Sequence, residues 1–262
     1  MSYFVRNQEF AFGIDLSRYN ASADLTQKPD FGLIAAHQPR VSFIAIRSGV
    51  SWGYRDPMFA VFSRQALAIG ACVMPYHVLY PGYPALKQMN HFRRILEGID
   101  LDSVRLALDV ELEHGQTRAV ITNTLLSALE LLEQETGRLP IVYSRALWVD
   151  ANLRVADLPR VDWWLAQYYY RRPFPQYTPE YPCPPRLPKG VDQWLIHQTS
   201  ERGPAIGGAG NYMDYDRWNG TEADVLAYFG RAALVNCPLD GAICPVRSAC
   251  SAEAAQCEAV AA

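Results

Sequence analysis

One alternation constrains this chain more than any other feature. From residue 11 onwards a short apolar run is followed by a longer segment of helical character, five times in succession. Ala11–Leu16, Val41–Arg47, Ala71–Leu79, Val104–Glu111 and Leu139–Tyr143 are brief and continuously apolar at their centres, which predicts buried strands. Pro29–His37, Pro57–Ile69, Pro84–Ile95, Thr117–Thr136 and Arg145–Asn152 predict the helices between and after them. In Thr117–Thr136, Leu125, Leu129 and Leu132 recur at helical spacing before Gly137 and Pro140 end the pattern. Pro29, Pro57 and Pro84 stand where a first helical turn tolerates proline. A helix between consecutive strands is the crossover that parallel pairing requires, so five such units predict a barrel or a wound sheet.

After Asp157 the rhythm changes. Asp162–Tyr168, Gln193–Thr199 and Tyr212–Trp218 read as strands, but the links between them are rich in Pro, Tyr and Gly. The link Arg171–Gly190 holds seven prolines, which no helix accommodates. Five βα units followed by three strands predict an α/β fold of the eight-stranded barrel type, incomplete in its helices. Residues 1–230 are assigned to this barrel, and residues 231–262 to a Cys/Ala-rich tail with cysteines at 237, 244, 250 and 257. Those spacings are too wide for a Cys-x-x-Cys knuckle and no histidine lies nearby, so no zinc site is expected. The tail reads either as two small disulfides or as free thiols. Cys72, in a core strand, reads as a small buried hydrophobe.

Composition narrows the function. The 262 residues carry 24 Lys+Arg against 27 Asp+Glu, a net charge of −3, which removes the electrostatic case for nucleic acid. No run approaches the roughly 18 apolar residues of a membrane span. Fifteen Tyr and six Trp against ten Phe supply flat rings with polar handles, suited to wet clefts and sugar faces. Gly207–Gly210 lacks the strand-then-helix context of a phosphate loop and reads as a turn. No cofactor is expected.

Carboxylates mark the candidate site. Leu106-Ala-Leu-Asp-Val-Glu111 leads an apolar strand into Asp109 and Glu111, which at i and i+2 share one face. Active sites of barrels lie at the carboxyl ends of their strands. Two carboxylates held together raise the proton affinity of one, giving the neutral acid and the anion that glycoside hydrolysis uses. Asp15 ends the first predicted strand and Asp214 lies in the last, and in a closed barrel those two strands are neighbours. Four carboxylates from distant strands would then converge on one cleft.

The residues now carry a resemblance. Gly13-Ile-Asp-Leu-Ser17, Asp109-Val-Glu111 and Met213-Asp-Tyr-Asp-Arg-Trp218 resemble the three signature regions of glycoside hydrolase family 25, the Chalaropsis-type lysozymes. Phe43-Ile-Ala-Ile-Arg-Ser-Gly49 with Asp56-Pro57, Pro75-Tyr-His77, Ile141-Val-Tyr143 and Trp164-Leu-Ala-Gln-Tyr168 are similar to the segments between them, in the family's order over residues 11–220. The resemblance implies a flattened, incomplete TIM-like barrel and a muramidase, a peptidoglycan hydrolase that cuts the β-1,4 bond from N-acetylmuramic acid to N-acetylglucosamine. Departures are His197-Gln198 where the family usually has Trp-Gln, Arg47 where it often has Lys, and Met74 at a glycine position.

On this reading Glu111 is the general acid. Asp109 either stabilises the oxocarbenium-like centre or orients the 2-acetamido group as an internal nucleophile, and Asp15 and Asp214 hold charge balance and position sugar or water. Retaining and inverting chemistry both stay open. Tyr76, His77, Tyr143, Tyr168 and Gln198, at strand ends, are candidates for substrate binding, with His77 read as hydrogen-bonded and not as a metal ligand. The alternative is a non-hydrolytic peptidoglycan-binding or virion structural module on the same barrel. Met1–Phe10 shows no signal-peptide pattern. The expected setting is therefore a host cytoplasm before lysis or a virion, as for a bacteriolytic endolysin, with the tail as a candidate attachment to a larger assembly.

Overall fold

The computed structural model describes residues 10–168, 184–208 and 212–231. Among them run the strands β1 (Phe12–Leu16), β2 (Val41–Val50), β3 (Tyr54–Arg55), β4 (Cys72–Val78), β5 (Ala107–Asp109), β6 (Ile141–Ser144), β7 (Trp163–Ala166), β8 (Ile196–Pro204) and β9 (Tyr212–Trp218). The helices are α1 (Phe31–Ala36), α2 (Phe59–Ala68), α3 (Ala85–Ile95), α4 (Arg118–Thr136), α5 (Ala146–Asn152) and α6 (Glu222–Tyr228).

The sheet closes. Its order is β1-β9-β8-β7-β6-β5-β4-β2-β3, and β1 pairs with β2 as well, so eight strands form a barrel with β3 as a short antiparallel flap on β2. Pairing is parallel from β1 through β2 and β4 to β8. Strand β9 runs antiparallel to both of its neighbours, β8 and β1. The cause is the length of the link: seven positions separate Pro204 from Tyr212, fewer than the dozen or so that a parallel crossover needs, so β9 comes back the other way. The expected five βα units and three strands are all present among the described residues.

Local chemistry sets the element ends. Asp30 caps α1 by accepting from the amides of Gly32 and Leu33, Thr117 caps α4 by accepting from Val120 N, and Gly137 ends α4 at φ 67°. Three expectations need correction. Pro29 and Pro57 each precede the capping residue, and Pro84 is itself the cap of α3, so all three prolines stand before the first turn and not inside it. Strand β5 covers three residues where eight were expected, because only Ala107–Asp109 pairs on both sides. Helix α6 was not expected; Thr221 and Asp224 start it with a reciprocal capping box. Residues 232–262, most of the expected tail, lie outside the described residues, as do positions 171–183 of the proline-rich link and 209–210 of the glycine turn.

Alternate residues of each strand face opposite layers. Outward, Ile14, Ile44, Ile46, Val73, Leu108, Val142, Leu165 and Tyr215 pack with the helices. Inward, Phe43, Ala45, Cys72, Met74, Tyr76, Ala107, Tyr143, Trp164, Ile196 and Trp218 fill the barrel.

Candidate active site

The carboxyl ends of the parallel strands deliver the expected acids to the barrel interior. On β1, Phe12, Ile14 and Leu16 face the helices, so Asp15 faces inward, where it is buried. On β9, Met213 and Tyr215 face outward, which turns both Asp214 and Asp216 inward. Asp15 lies directly opposite Asp214 in the antiparallel register, and Gln198 lies opposite Asp216. Gln198 ties the group together. Its Nε2 donates to Asp15 Oδ2 at 2.6 Å and, more weakly, to Asp214 Oδ2 at 3.5 Å. Its Oε1 accepts from the hydroxyls of Tyr143, at 2.9 Å, and of Tyr168.

Beneath this network lies Trp164, which is buried. Its Nε1 donates to Asp216 Oδ1 at 2.7 Å, and its ring meets Tyr143 and Tyr76 edge to face at 4.7 and 5.7 Å. Three aspartates packed this closely cannot all be ionised. Burial first, and the neighbouring Asp216 second, hold the Asp15 carboxyl well above the usual carboxylate range. Burial likewise raises Asp214, with Asp15 as the second cause, and burial raises Asp216 against the opposing Trp164 hydrogen bond. A raised proton affinity at each of these carboxyls relieves the repulsion that three anions would suffer.

Asp109 and Glu111 form the opposite wall. The backbone is held from both sides: Leu79 N donates to Asp109 O, Val110 N to Tyr143 O, and Ser144 Oγ to Val110 O. Val110 is buried against the helices, so the in–out alternation continues past the end of β5 and Glu111 follows Asp109 to the inner side. Their environments differ. Asp109 is buried, its Oδ1 has no hydrogen-bond partner among the described residues, and burial plus the adjacent Glu111 push its proton affinity up. Glu111 reaches the solvent side, with its Oε2 at 3.6 Å from Arg145 Nη2.

Of the binding candidates, Tyr76, Tyr143, Tyr168 and Gln198 are brought to this cleft. Burial raises all three phenols above their ordinary range, so they act as neutral hydrogen-bonding groups. His77 is not brought there. Its neighbours Tyr76 and Val78 face inward, so its ring faces α3, stacks on Phe92 at 4.9 Å and places Nε2 2.6 Å from Ser51 O. The departure at His197 is also outside the cleft: it faces outward, with Nε2 at 2.9 Å from Gln167 O, while the adjacent Gln198 faces in.

Four residues of the site carry no expected role from sequence. Asp216 follows Asp214 at i+2, so the parity that pairs Asp109 with Glu111 was available to find it. Trp164 stood in a predicted strand and Arg145 opened a predicted helix, with nothing to mark their direction. Arg47, seen only as a departure, lies inward on β2, where its Nε donates to Asp56 Oδ2 at 2.9 Å and its charge lowers the proton affinity of Asp109. Among the described residues no cluster of His, Cys, Asp and Glu has metal-binding geometry. No helix among them is long and apolar enough to cross a membrane.

A family model described as glycosyl hydrolases family 25 matches residues 14–208. The chain belongs to this family. The matched span includes Asp15, Asp109, Glu111 and Gln198, while Asp214 and Asp216 follow it. Among sequences, the chain is similar to the uncharacterized protein YegX of Escherichia coli O157:H7, with 27% identity over 220 residues, 82% of this chain and 72% of that protein. Among solved structures, it resembles a bacterial lysozyme from Streptomyces coelicolor at 19% identity and TM-score 0.66, over 83% of this chain and 95% of that one. It also resembles a family 25 glycosyl hydrolase from Bacillus anthracis at 19% identity and TM-score 0.63, over 82% and 91% of the two chains. At these identities the structural likeness speaks for the shared barrel.

Proposed function

We infer that this family 25 protein is a lysozyme-type peptidoglycan hydrolase, cleaving the β-1,4 bond between N-acetylmuramic acid and N-acetylglucosamine with Glu111 as general acid. The observation that carries the reading is the contrast between the paired acids: a buried, proton-retaining Asp109 beside a solvent-reaching Glu111, across a cleft from Asp15, Asp214 and Asp216.

Glu111, on the solvent side of the pair, is the carboxyl a glycosidic oxygen can reach. Asp109, whose proton affinity burial raises, offers less charge to an oxocarbenium-like centre than an exposed carboxylate would. Its position on the inner face beside Glu111 instead suits the role of orienting the substrate's 2-acetamido group. Tyr76, Tyr143 and Tyr168 supply neutral hydroxyls and ring edges to a sugar. Asp15 and Asp214, anchored by Gln198, position sugar or water.

The test is hydrolysis of purified peptidoglycan by wild type and Glu111→Gln, read as turbidity loss and as newly released reducing ends. New muramic acid ends from wild type alone support the assignment. Robust cleavage by the variant removes Glu111 from the role. Intact glycan in both samples, with the protein sedimenting alongside the wall, favours binding without cutting.

A further inference from the structure

A row of exposed aromatic rings runs across the rim of the barrel and has no part in the site described above. Trp52 and Tyr83 are 51% and 47% exposed, with ring centroids 6.3 Å apart. Tyr83 lies 6.0 Å from Tyr80, and Tyr80 stacks on His114 at 3.8 Å with the planes 24° apart. These residues come from the loops that follow β2, β4 and β5, the strand ends that deliver Arg47, Tyr76 and Asp109 to the cleft. His114 is three residues beyond Glu111, so the row starts on the loop of the proposed acid and leads away from it.

At its far end the row meets a cationic groove. Trp52 and α3 border an open groove of about 580 Å³ lined by Trp52, Lys87, Asn90, Arg93 and Arg94, with no acidic residue among the five. Arg93 is committed to Glu135, Asn90 Oδ1 and Leu131 O. Lys87 and Arg94 are exposed, two helical turns apart, and among the described residues neither forms an ion pair; Arg94 Nε donates to the carbonyl of Asn90. A chain of net charge −3 thus keeps two uncompensated cations beside half-exposed indole and phenol rings.

Rings left in water lose the burial that ordinarily holds them, and a contiguous exposed patch of them marks a binding surface. Flat faces suit pyranose rings, and free cations suit carboxylates. A peptidoglycan strand carries both, because acidic peptide stems branch from its muramic acid units. We propose that the Trp52–Tyr83–Tyr80–His114 row and the Lys87/Arg94 groove form an extended subsite for the strand beyond the scissile bond, the rings taking sugar faces and the cations taking stem-peptide carboxylates. The subsite rests on the peptidoglycan reading and adds that the enzyme reads the stem as well as the glycan.

Calorimetric titration of the full chain with soluble, uncrosslinked peptidoglycan strands tests it, using strands with their stems and the same strands after amidase has removed them. The double variant Trp52→Ala/Tyr83→Ala should weaken binding of both ligands about tenfold. The double variant Lys87→Glu/Arg94→Glu should weaken the stem-bearing strand about five- to tenfold, leave the stripped strand unchanged, and lose its effect at high salt. All four positions are exposed, and unchanged melting temperatures establish that each variant is folded. Wild-type protein that binds both strands, with variants that bind as well as it does, overturns the subsite alone. Equal loss on both ligands in the charge variant overturns stem recognition. Wild-type protein that binds neither strand overturns the peptidoglycan reading and the subsite with it.

Discussion

The two ends of the barrel interior are built by the same strands and have opposite chemistry. Toward the amino ends of the parallel strands the interior is plugged by Phe43, Cys72, Met74, Ile196 and Trp218, and Phe229 packs behind Trp218. The fit is tight: a Cβ on Gly13 would fall 2.3 Å from the Phe43 ring. Two residues further along β1 the inward position is Asp15, and toward the other end of β9 the inward positions are Asp216 and Asp214. The lower end gains stability from apolar area removed from water. At the upper end, buried like charges are tolerated only by holding protons. One barrel therefore separates stability and chemistry by height along its axis.

The sharpest way to probe the contrast is to damage each end alone. Glu111→Gln should lower hydrolysis by between about 10²- and 10⁴-fold, the range for loss of a general acid, and leave the melting temperature unchanged. Reducing-end assays beside calorimetry check both halves. At the other end, Trp218→Ala should cost about 3–5 kcal/mol in denaturant unfolding. The molecules that remain folded should keep near-wild-type activity, and a selective collapse of kcat would mean that the two ends are coupled.

Acid sharpens the comparison further, because the outer layer and the upper cleft respond with opposite signs. Burial holds His77 down at about 4 and His197 down at about 3, so both are neutral in the fold but free to charge in the unfolded chain. Their contribution is complete above the ordinary histidine value of roughly 6.5 and is lost as pH falls toward 4. For His77 the loss is on the order of 3 kcal/mol by pH 4, and urea unfolding at pH 7 and pH 4.5 should show a smaller decline in His77→Gln than in wild type.

The carboxyls work the other way. Asp15, Asp214 and Asp216 hold protons in the fold at pH values where the unfolded chain has released them, so stability falls as pH rises from about 4 through their raised values. Asp216→Asn keeps an acceptor for Trp164 Nε1 and removes one ionisable group. It should gain about 1 kcal/mol at neutral pH, flatten the stability profile above pH 4 and reduce activity. A variant with the wild-type profile would show that Asp216 carries no shared proton.

Much of this site was legible before folding was considered, and the limits of that legibility are physical. Asp109 and Glu111 could be paired from their i, i+2 spacing, and the alternation carries on through Val110 although the strand itself stops at Asp109. His77 and Tyr76 could not be told apart in the same way. Both faces of a barrel strand are buried, one by the interior and one by the helices, so the apolar pattern of β4 does not reveal which parity points inward. All seven residues of that strand are buried, and only closure of the barrel turned Tyr76 to the cleft and His77 to α3.

By itself, the sequence determined the five strand–helix units and the three strands that follow them, the parallel run of strands, the apolar filling and the acids that end the strands, because these follow from local periodicity and turn chemistry. The tertiary structure alone decided that β9 runs antiparallel, that Asp15 and Gln198 share a hydrogen bond across 183 residues, and that Trp164 Nε1 donates to Asp216 beneath the cleft. Those outcomes depend on inter-strand hydrogen bonds between segments far apart in the chain. Pairing partners of that kind have no local signature; they are selected only when the sheet closes and every buried donor and acceptor must find a match.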